Sequence, residues 1–408
     1  MAMKTGRRRG LAAFLALWLL ALTGCGAPAA GPAPTARPAA SALPTAAPTA
    51  APLTAADLTL EEKVGQLFLV RPDALDPART PQQIEDPDAA GATALTDAMR
   101  ATLARIPVGG VVLFGKNIAD AGQLAAFTAD LQAAGRVPLL LAVDEEGGAV
   151  ARLANSGALD LPRYESAAAV GAEGPEAVRA MYRTIGGYLR DFGFALDFAP
   201  VADVNTNPDN PVIGSRAFSA DPQTAAACVR AAVEGLGEAG VLACLKHFPG
   251  HGDTAQDSHE EAAVTEKTLA ALRSGEWAPF AAGIAAGAPL VMVGHITAPN
   301  ALPPAESDRL AGFSATVLND WLRGELGFEG LVVTDSLAMG AVTRRYSSGE
   351  AALAALQAGA DLLLMPADLE EAYTAVVQAV ESGRWPESEL DARVERILAA
   401  KRAAGLPV

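Results

Sequence analysis

From Leu58 onward the chain repeats one pattern eight times: a short apolar run, then in most cases a longer alanine-rich stretch. The apolar runs are residues 66–70, 110–114, 139–143, 195–199, 241–245, 290–293, 331–334 and 361–365. Each is too short for a core helix and long enough for a strand buried on both faces. The stretches between them, such as 119–134, 175–192, 224–239 and 269–286, are long enough for helices. Thr59 followed by Glu62 gives a capping box at the first helix start. Strand then helix, repeated, requires parallel pairing, because a helical crossover returns the chain to the same end of the sheet. Eight such units within residues 57–408 predict a single α/β domain, a closed (β/α)8 TIM-type barrel. An open doubly wound sheet is the alternative, but no glycine-rich dinucleotide or phosphate loop supports it.

The region before the barrel reads as a processing and tethering segment. Lys4 to Arg9 is cationic, Leu11 to Leu22 is apolar, and Leu22-Thr23-Gly24-Cys25 follows. The apolar run is short for a spanning helix and suits a signal peptide over residues 1–24. Leu-x-Gly-Cys after such a run resembles the bacterial lipobox, which predicts lipidation at Cys25 and an extracytoplasmic, lipid-anchored protein. An ordinary secretory signal with an incidental cysteine is the alternative. Residues 25–56 are alanine, proline and threonine with few large apolar side chains, so they read as a disordered tether. Cys228 and Cys244 lie in apolar surroundings and read as buried thiols rather than a disulfide. The formal charge of -16 disfavours nucleic acid and anionic membrane surfaces as partners. A neutral or small substrate fits better.

Unusual polar residues gather where the strands end. Lys116-Asn117 follow the second strand, Asp144-Glu145-Glu146-Gly147-Gly148 the third, and Asp203, Asn205 and Arg216 the fourth. Lys246-His247 open the loop after the fifth, His295 follows the sixth and Asp335 the seventh. In a parallel barrel these ends converge on the face that carries the active site. Three of the four histidines fall in one segment, K-H-F-P-G-H-G-D-T-A-Q-D-S-H from Lys246 to His259.

Asp335 ends an apolar strand and is a candidate nucleophile or electrostatic stabiliser, with a helix cap as the plainer reading. Asp257 and His259 are two apart, so in an extended segment they share a side. A carboxylate on one ring nitrogen fixes the tautomer and leaves the other to give or take a proton. An exposed polar loop is the plainer reading there. His247, His251, Asp253, Asp257 and His259 could in number supply zinc ligands. Pro249 and Gly250 break the helix that would align the first two, no cysteine joins them, and no metal or other cofactor is expected. Asp144 and Arg152 bracket a Gly-Gly turn, and such groups around a pocket suit sugar hydroxyls. Lys246 and His247 add two donors, and no Gly-x-Ser-x-Gly elbow points to a serine hydrolase.

K-H-F-P-G-H-G with D-S-H, preceded by D-E-E-G-G and followed by T-D-S-L-A-M-G-A, resembles glycoside hydrolase family 3. More narrowly it is similar to the family's bacterial β-N-acetylhexosaminidases of single-domain type. T-L-E-E-K-V-G-Q-L-F and G-G-V-V-L-F-G-K-N match as well, so the resemblance runs from about Leu58 to about Leu406. It implies that Asp335 is the nucleophile of a covalent glycosyl-enzyme, with His259 as general acid/base and Asp257 as its partner. Asp144, Arg216, Lys246 and His247 match sugar-gripping positions, and Arg152 a pocket-supporting arginine. The implied outcome is retention by two displacements. The family often has arginine directly after the Gly-Gly turn, where this chain has Ala149.

The expected function is thus an exported, retaining exo-β-N-acetylglucosaminidase acting on a β-linked N-acetylglucosamine in peptidoglycan fragments or chitooligosaccharides. Within the family, a β-glucosidase, a β-xylosidase or an N-acetylglucosaminide phosphorylase is the alternative. From another class, a non-catalytic sugar-binding lipoprotein would share the lipobox, the tether and the acidic domain.

Overall fold

Strands form at all eight apolar runs in the computed structural model, which describes residues 52–255 and 261–408. They are β1 Phe68–Val70, β2 Gly110–Leu113, β3 Leu140–Val143 and β4 Leu196–Asp197, then β5 Leu242–Phe248, β6 Leu290–Val293, β7 Leu331–Thr334 and β8 Leu363–Leu364. Their order in the sheet is β7-β6-β5-β4-β3-β2-β1-β8, with every neighbouring pair parallel. The two ends of that order meet: Val333 bridges Leu362, and the Leu364 N–H donates to Thr334 Oγ1 at 3.0 Å. The result is the (β/α)8 barrel that the alternation predicts. Its strands are buried along their length, which explains why each reads as a continuous apolar run rather than an alternating one.

Helices fill the intervals, including Ala121–Ala134, Pro175–Asp191 and Pro222–Glu238. The capping box forms as expected: the Glu62 N–H donates to Thr59 Oγ1 at 3.3 Å, and the Thr59 N–H to Glu62 Oε2 at 2.9 Å. The stretch 269–286 is not one helix. It breaks into Leu269–Ser274 and Trp277–Ala285, because Gly275 leaves helical geometry and Glu276 turns inward to an ion pair with Lys267.

The fifth strand is longer than its apolar run. It continues through Phe248, so Lys246 and His247 belong to β5 and do not open the loop after it. The extension is paired on both sides. The Ala202 N–H donates to the Lys246 carbonyl at 2.6 Å, and the Gly294 N–H to the Phe248 carbonyl at 2.9 Å. Cys228 and Cys244 are buried free thiols. At the other edge of the domain, the Ala55 N–H donates to Glu395 at 2.7 Å and Arg402 to the Leu53 carbonyl at 3.1 Å. The folded part therefore takes up chain from Leu53 rather than from residue 57. The residues read as signal peptide, Cys25, and the tether as far as residue 51 lie outside the described residues.

Candidate active site

A cavity of about 190 Å³ opens at the C-terminal ends of the strands. Asp144, Arg152, Arg216, Lys246, His247 and Asp335 all line it. They come from the ends of β3, β5 and β7 and from the connection after β4, regions far apart in sequence. The strand-end rule thus gathers all six into one place. Asp257 and His259 lie outside the described residues.

The sugar-gripping candidates form one charge network. Lys246 Nζ is 2.7 Å from Asp144 Oδ1 and 2.6 Å from Glu146 Oε1. Arg216 clasps the same Glu146 with two parallel bonds, Nε to Oε2 at 2.8 Å and Nη2 to Oε1 at 2.7 Å. Burial works against charge on Glu146, but Arg216 and Lys246 hold its carboxyl far below the usual glutamate range. Burial likewise opposes charge on Lys246, and Asp144 with Glu146 keeps its pKa above the ordinary lysine value. Glu146, Lys246 and Arg216 are therefore ionised at neutral pH. Glu146 is absent from the residues that the sequence singles out as site groups. A signal existed: Asp144 and Glu146 are two apart at a strand end, the spacing that puts side chains on one side.

A short antiparallel hairpin, Glu145–Gly147 with Val150–Ala151, carries this acidic turn into the cavity. Gly147 and Gly148 turn it with φ of 80° and 71°, where a side chain would be strained. Glu145 faces the other way. It accepts from the N–H groups of Leu153 and Ala154 at 2.8 and 2.9 Å and from the Tyr188 hydroxyl at 2.8 Å, which fixes the hairpin base. Ala149 is exposed at the hairpin tip. Arg152 stands on one wall, 5.3 Å from the Phe114 ring centroid and 3.8 Å from Asp144, with Arg71 on the same ring at 4.3 Å.

His247 is oriented by a residue 44 positions earlier. Its Nδ1 is 2.8 Å from Asp203 Oδ2, while Asp203 Oδ1 accepts from the N–H groups of His247 and His251 at 3.2 and 2.7 Å. Burial opposes charge on Asp203, yet His247 and these bonds lower its pKa, so it is an acceptor and His247 carries its proton on Nδ1. The ring's Nε2 is then the polar atom left for a ligand. His251 also lines the cavity, with Nδ1 2.6 Å from the Thr254 hydroxyl. Both histidines thus commit Nδ1 to a protein partner, and Asp253 Oδ2 accepts from Thr265 at 2.8 Å. Among the described residues no group of three or more His, Cys, Asp or Glu is arranged to hold a metal ion.

Asp335 follows β7 and is held by β6 and by the peptide that follows it. Its N–H donates to the Val293 carbonyl at 3.0 Å, and the Ser336 N–H donates to its Oδ1 at 2.7 Å. The site therefore presents one strand-end carboxylate within a ring of fixed cations and acceptors. That arrangement can grip several hydroxyls of a small polar ring and offer it a nucleophile.

Glu146→Gln tests the network. The change leaves Lys246 and Arg216 without their shared anion, so unfolding free energy falls by about 3–5 kcal/mol at neutral pH in a urea titration. Because the folded pKa of Glu146 is depressed, its contribution is complete above the unfolded glutamate pKa of about 4.3 and fades only as pH falls below it. The stability gap between wild type and variant should therefore close only in strongly acid solution. A gap of the same size at low and neutral pH would contradict the assignment.

The family model described as the glycosyl hydrolase family 3 N terminal domain matches residues 59–400. A β-hexosaminidase of Xylella fastidiosa (strain 9a5c) is 42% identical over 275 residues, which is 66% of this chain and 80% of that protein. Among solved structures, a glycoside hydrolase family 3 β-N-acetylglucosaminidase from Paenibacillus sp. str. FPU-7 aligns with a TM-score of 0.77 at 37% identity. That alignment covers 86% of this chain and 64% of the Paenibacillus chain. A β-N-acetylhexosaminidase from Beutenbergia cavernae DSM 12333 aligns with a TM-score of 0.72 at 33% identity, over 85% of this chain and 99% of its own. With the family match spanning the whole barrel, the chain belongs to glycosyl hydrolase family 3.

Proposed function

We propose that this chain is a retaining exo-β-N-acetylglucosaminidase, exported and lipid-anchored at Cys25, that releases terminal N-acetylglucosamine from peptidoglycan fragments or chitooligosaccharides. The observation that carries this reading is the placement of Asp335 in one cavity with the Asp144–Lys246–Glu146–Arg216 network and His247. The network supplies acceptors and donors for the hydroxyls of one sugar ring, and Asp335 supplies the group that attacks it. Relatives named β-hexosaminidase and β-N-acetylglucosaminidase support the choice of sugar.

In this reading the reaction runs in two displacements. Asp335 attacks the anomeric carbon while His259 protonates the leaving oxygen, and the C–O bond to the leaving group breaks. Water then attacks the glycosyl-enzyme as the same histidine takes its proton, which frees Asp335. Asp257 orients His259 and stabilises its charged form. The fixed cations and acceptors hold the ring so that the anomeric carbon stays over the nucleophile, and that positioning is the larger part of what the described residues contribute.

Asp335→Asn should reduce turnover of an aryl β-N-acetylglucosaminide by about 1,000-fold or more, measured by release of the phenol. Turnover like that of wild type would remove Asp335 from the nucleophile's role. His259→Ala should slow poor leaving groups by about 100-fold or more and good ones far less, because proton donation matters most for a basic leaving oxygen. Equal losses on both would argue against the acid role. For the anchor, the full chain expressed in a lipoprotein-processing bacterium should partition into the detergent phase, and Cys25→Ser into the aqueous phase. Detergent-phase recovery of both would overturn lipidation at Cys25.

A further inference from the structure

Gly294 and His295 follow β6 directly, and Asp335 and Ser336 follow β7, its neighbour in the sheet. The two strand ends lie side by side, with Thr334 paired to Val293. Backbone bonds hold the β7 end on both flanks. The Asp335 N–H donates to the Val293 carbonyl at 3.0 Å, and the Leu337 N–H to the Leu364 carbonyl at 2.9 Å. Between them, the Ser336 N–H fixes Asp335 Oδ1 at 2.7 Å. The Ser336 carbonyl in turn lies 2.8 Å from His295 Nε2.

A carbonyl can only accept, so His295 carries its proton on Nε2. Its other ring nitrogen, Nδ1, is buried and has no partner among the described residues. The residue is fully enclosed, with its ring centroid 6.2 Å from that of Phe313. Burial pushes the imidazole pKa below its ordinary value, and the ring is neutral. A buried acceptor without a partner costs stability that an aromatic hydrocarbon in the same space would not. Histidine at this position is therefore a poor choice for packing and a good one for placing a single N–H donor.

We propose that His295 is a positioning residue for the reaction: by holding the Ser336 carbonyl it fixes Ser336, whose N–H sets the plane of the Asp335 carboxylate at the cavity. The inference rests on Asp335 acting as the nucleophile. His295 does not line the cavity. Its effect falls on how often the carboxylate meets the anomeric carbon in line, so it acts on kcat and leaves ground-state binding to the network around Glu146.

Three variants test this on the full-length enzyme with an aryl β-N-acetylglucosaminide. His295→Phe fills the space without a donor. It should lower kcat by about 10- to 100-fold, leave KM within about twofold, and leave the thermal midpoint unchanged or higher. His295→Gln places an amide N–H near the Nε2 position and should recover most of that loss, whereas His295→Asn, whose amide reaches only the Nδ1 position, should not. Wild-type kcat in His295→Phe would overturn the proposal, as would losses in kcat that follow the thermal midpoint with no rescue by Gln. If His295→Phe does not fold, the Gln and Asn variants decide alone: a fast Gln variant with a slow Asn variant supports the role, and any other pattern overturns it. Asp335→Asn separates the two claims. An inactive Asp335→Asn beside a fully active His295→Phe sinks only the positioning role, while an active Asp335→Asn sinks the reading beneath it.

Discussion

One buried carboxylate, Glu146, sets the geometry of the site. It accepts two bonds from Arg216 and lies 2.6 Å from Lys246 Nζ. Both cations are largely enclosed, with side-chain exposures of 17% and 3%, so either charge would be costly there without a partner. The three residues come from the hairpin after β3, the connection after β4 and the end of β5. Charge neutralisation therefore ties three successive units of the barrel together at the mouth. Asp144 shares Lys246 with Glu146, which holds it at the cavity wall.

Asp203 does the same work for the histidine segment. Its two oxygens hold the His247 ring and the backbone of His247 and His251. Gly252 then passes so close to the Val204 carbonyl that a Cβ would sit 1.8 Å from the oxygen. Only glycine permits that approach, and it presses the start of the loop after β5 against the connection after β4. The loop that runs on to Asp257 and His259 thus leaves from a fixed origin. On the opposite side of the mouth, His295 and the Ser336 peptide steady the end of β7. In this account the gripping groups, the histidine segment and the nucleophile are each positioned by an element other than their own.

Much of the fold was legible because parallel strands buried on both faces need uninterrupted apolar runs, and such runs stand out between alanine-rich helices. The site was legible as a set of positions, since polar residues directly after those runs must converge in a parallel barrel. Its wiring was not. The Lys246–Asp144 bond joins residues 102 apart, Arg216–Glu146 residues 70 apart and His247–Asp203 residues 44 apart. Local spacing carries no information on such pairs, so Glu146 and Asp203 went unassigned although both stood beside residues that were singled out. The end of β5 was misplaced for a related reason. Lys246 and His247 look like loop residues by composition, and only their partners just after β4 and β6 and on the hairpin allow polar side chains to continue a buried strand. The single helix expected over 269–286 failed at Gly275, whose backbone leaves helical geometry beside the buried Glu276–Lys267 ion pair.

The central claim is that Asp335 attacks a sugar held in this cavity and carries it covalently between two steps. The most direct measurement is mass analysis of enzyme incubated with 5-fluoro-N-acetyl-β-glucosaminyl fluoride and quenched in acid. The ring fluorine destabilises the oxocarbenium-like transition states of both steps, and the reactive fluoride leaving group lets the first step proceed, so the intermediate accumulates. The account predicts a protein heavier by one fluorinated N-acetylglucosaminyl group, with the added mass on the peptide that contains Asp335. Consumption of the reagent with the protein unmodified, or with the label on another residue, would contradict it.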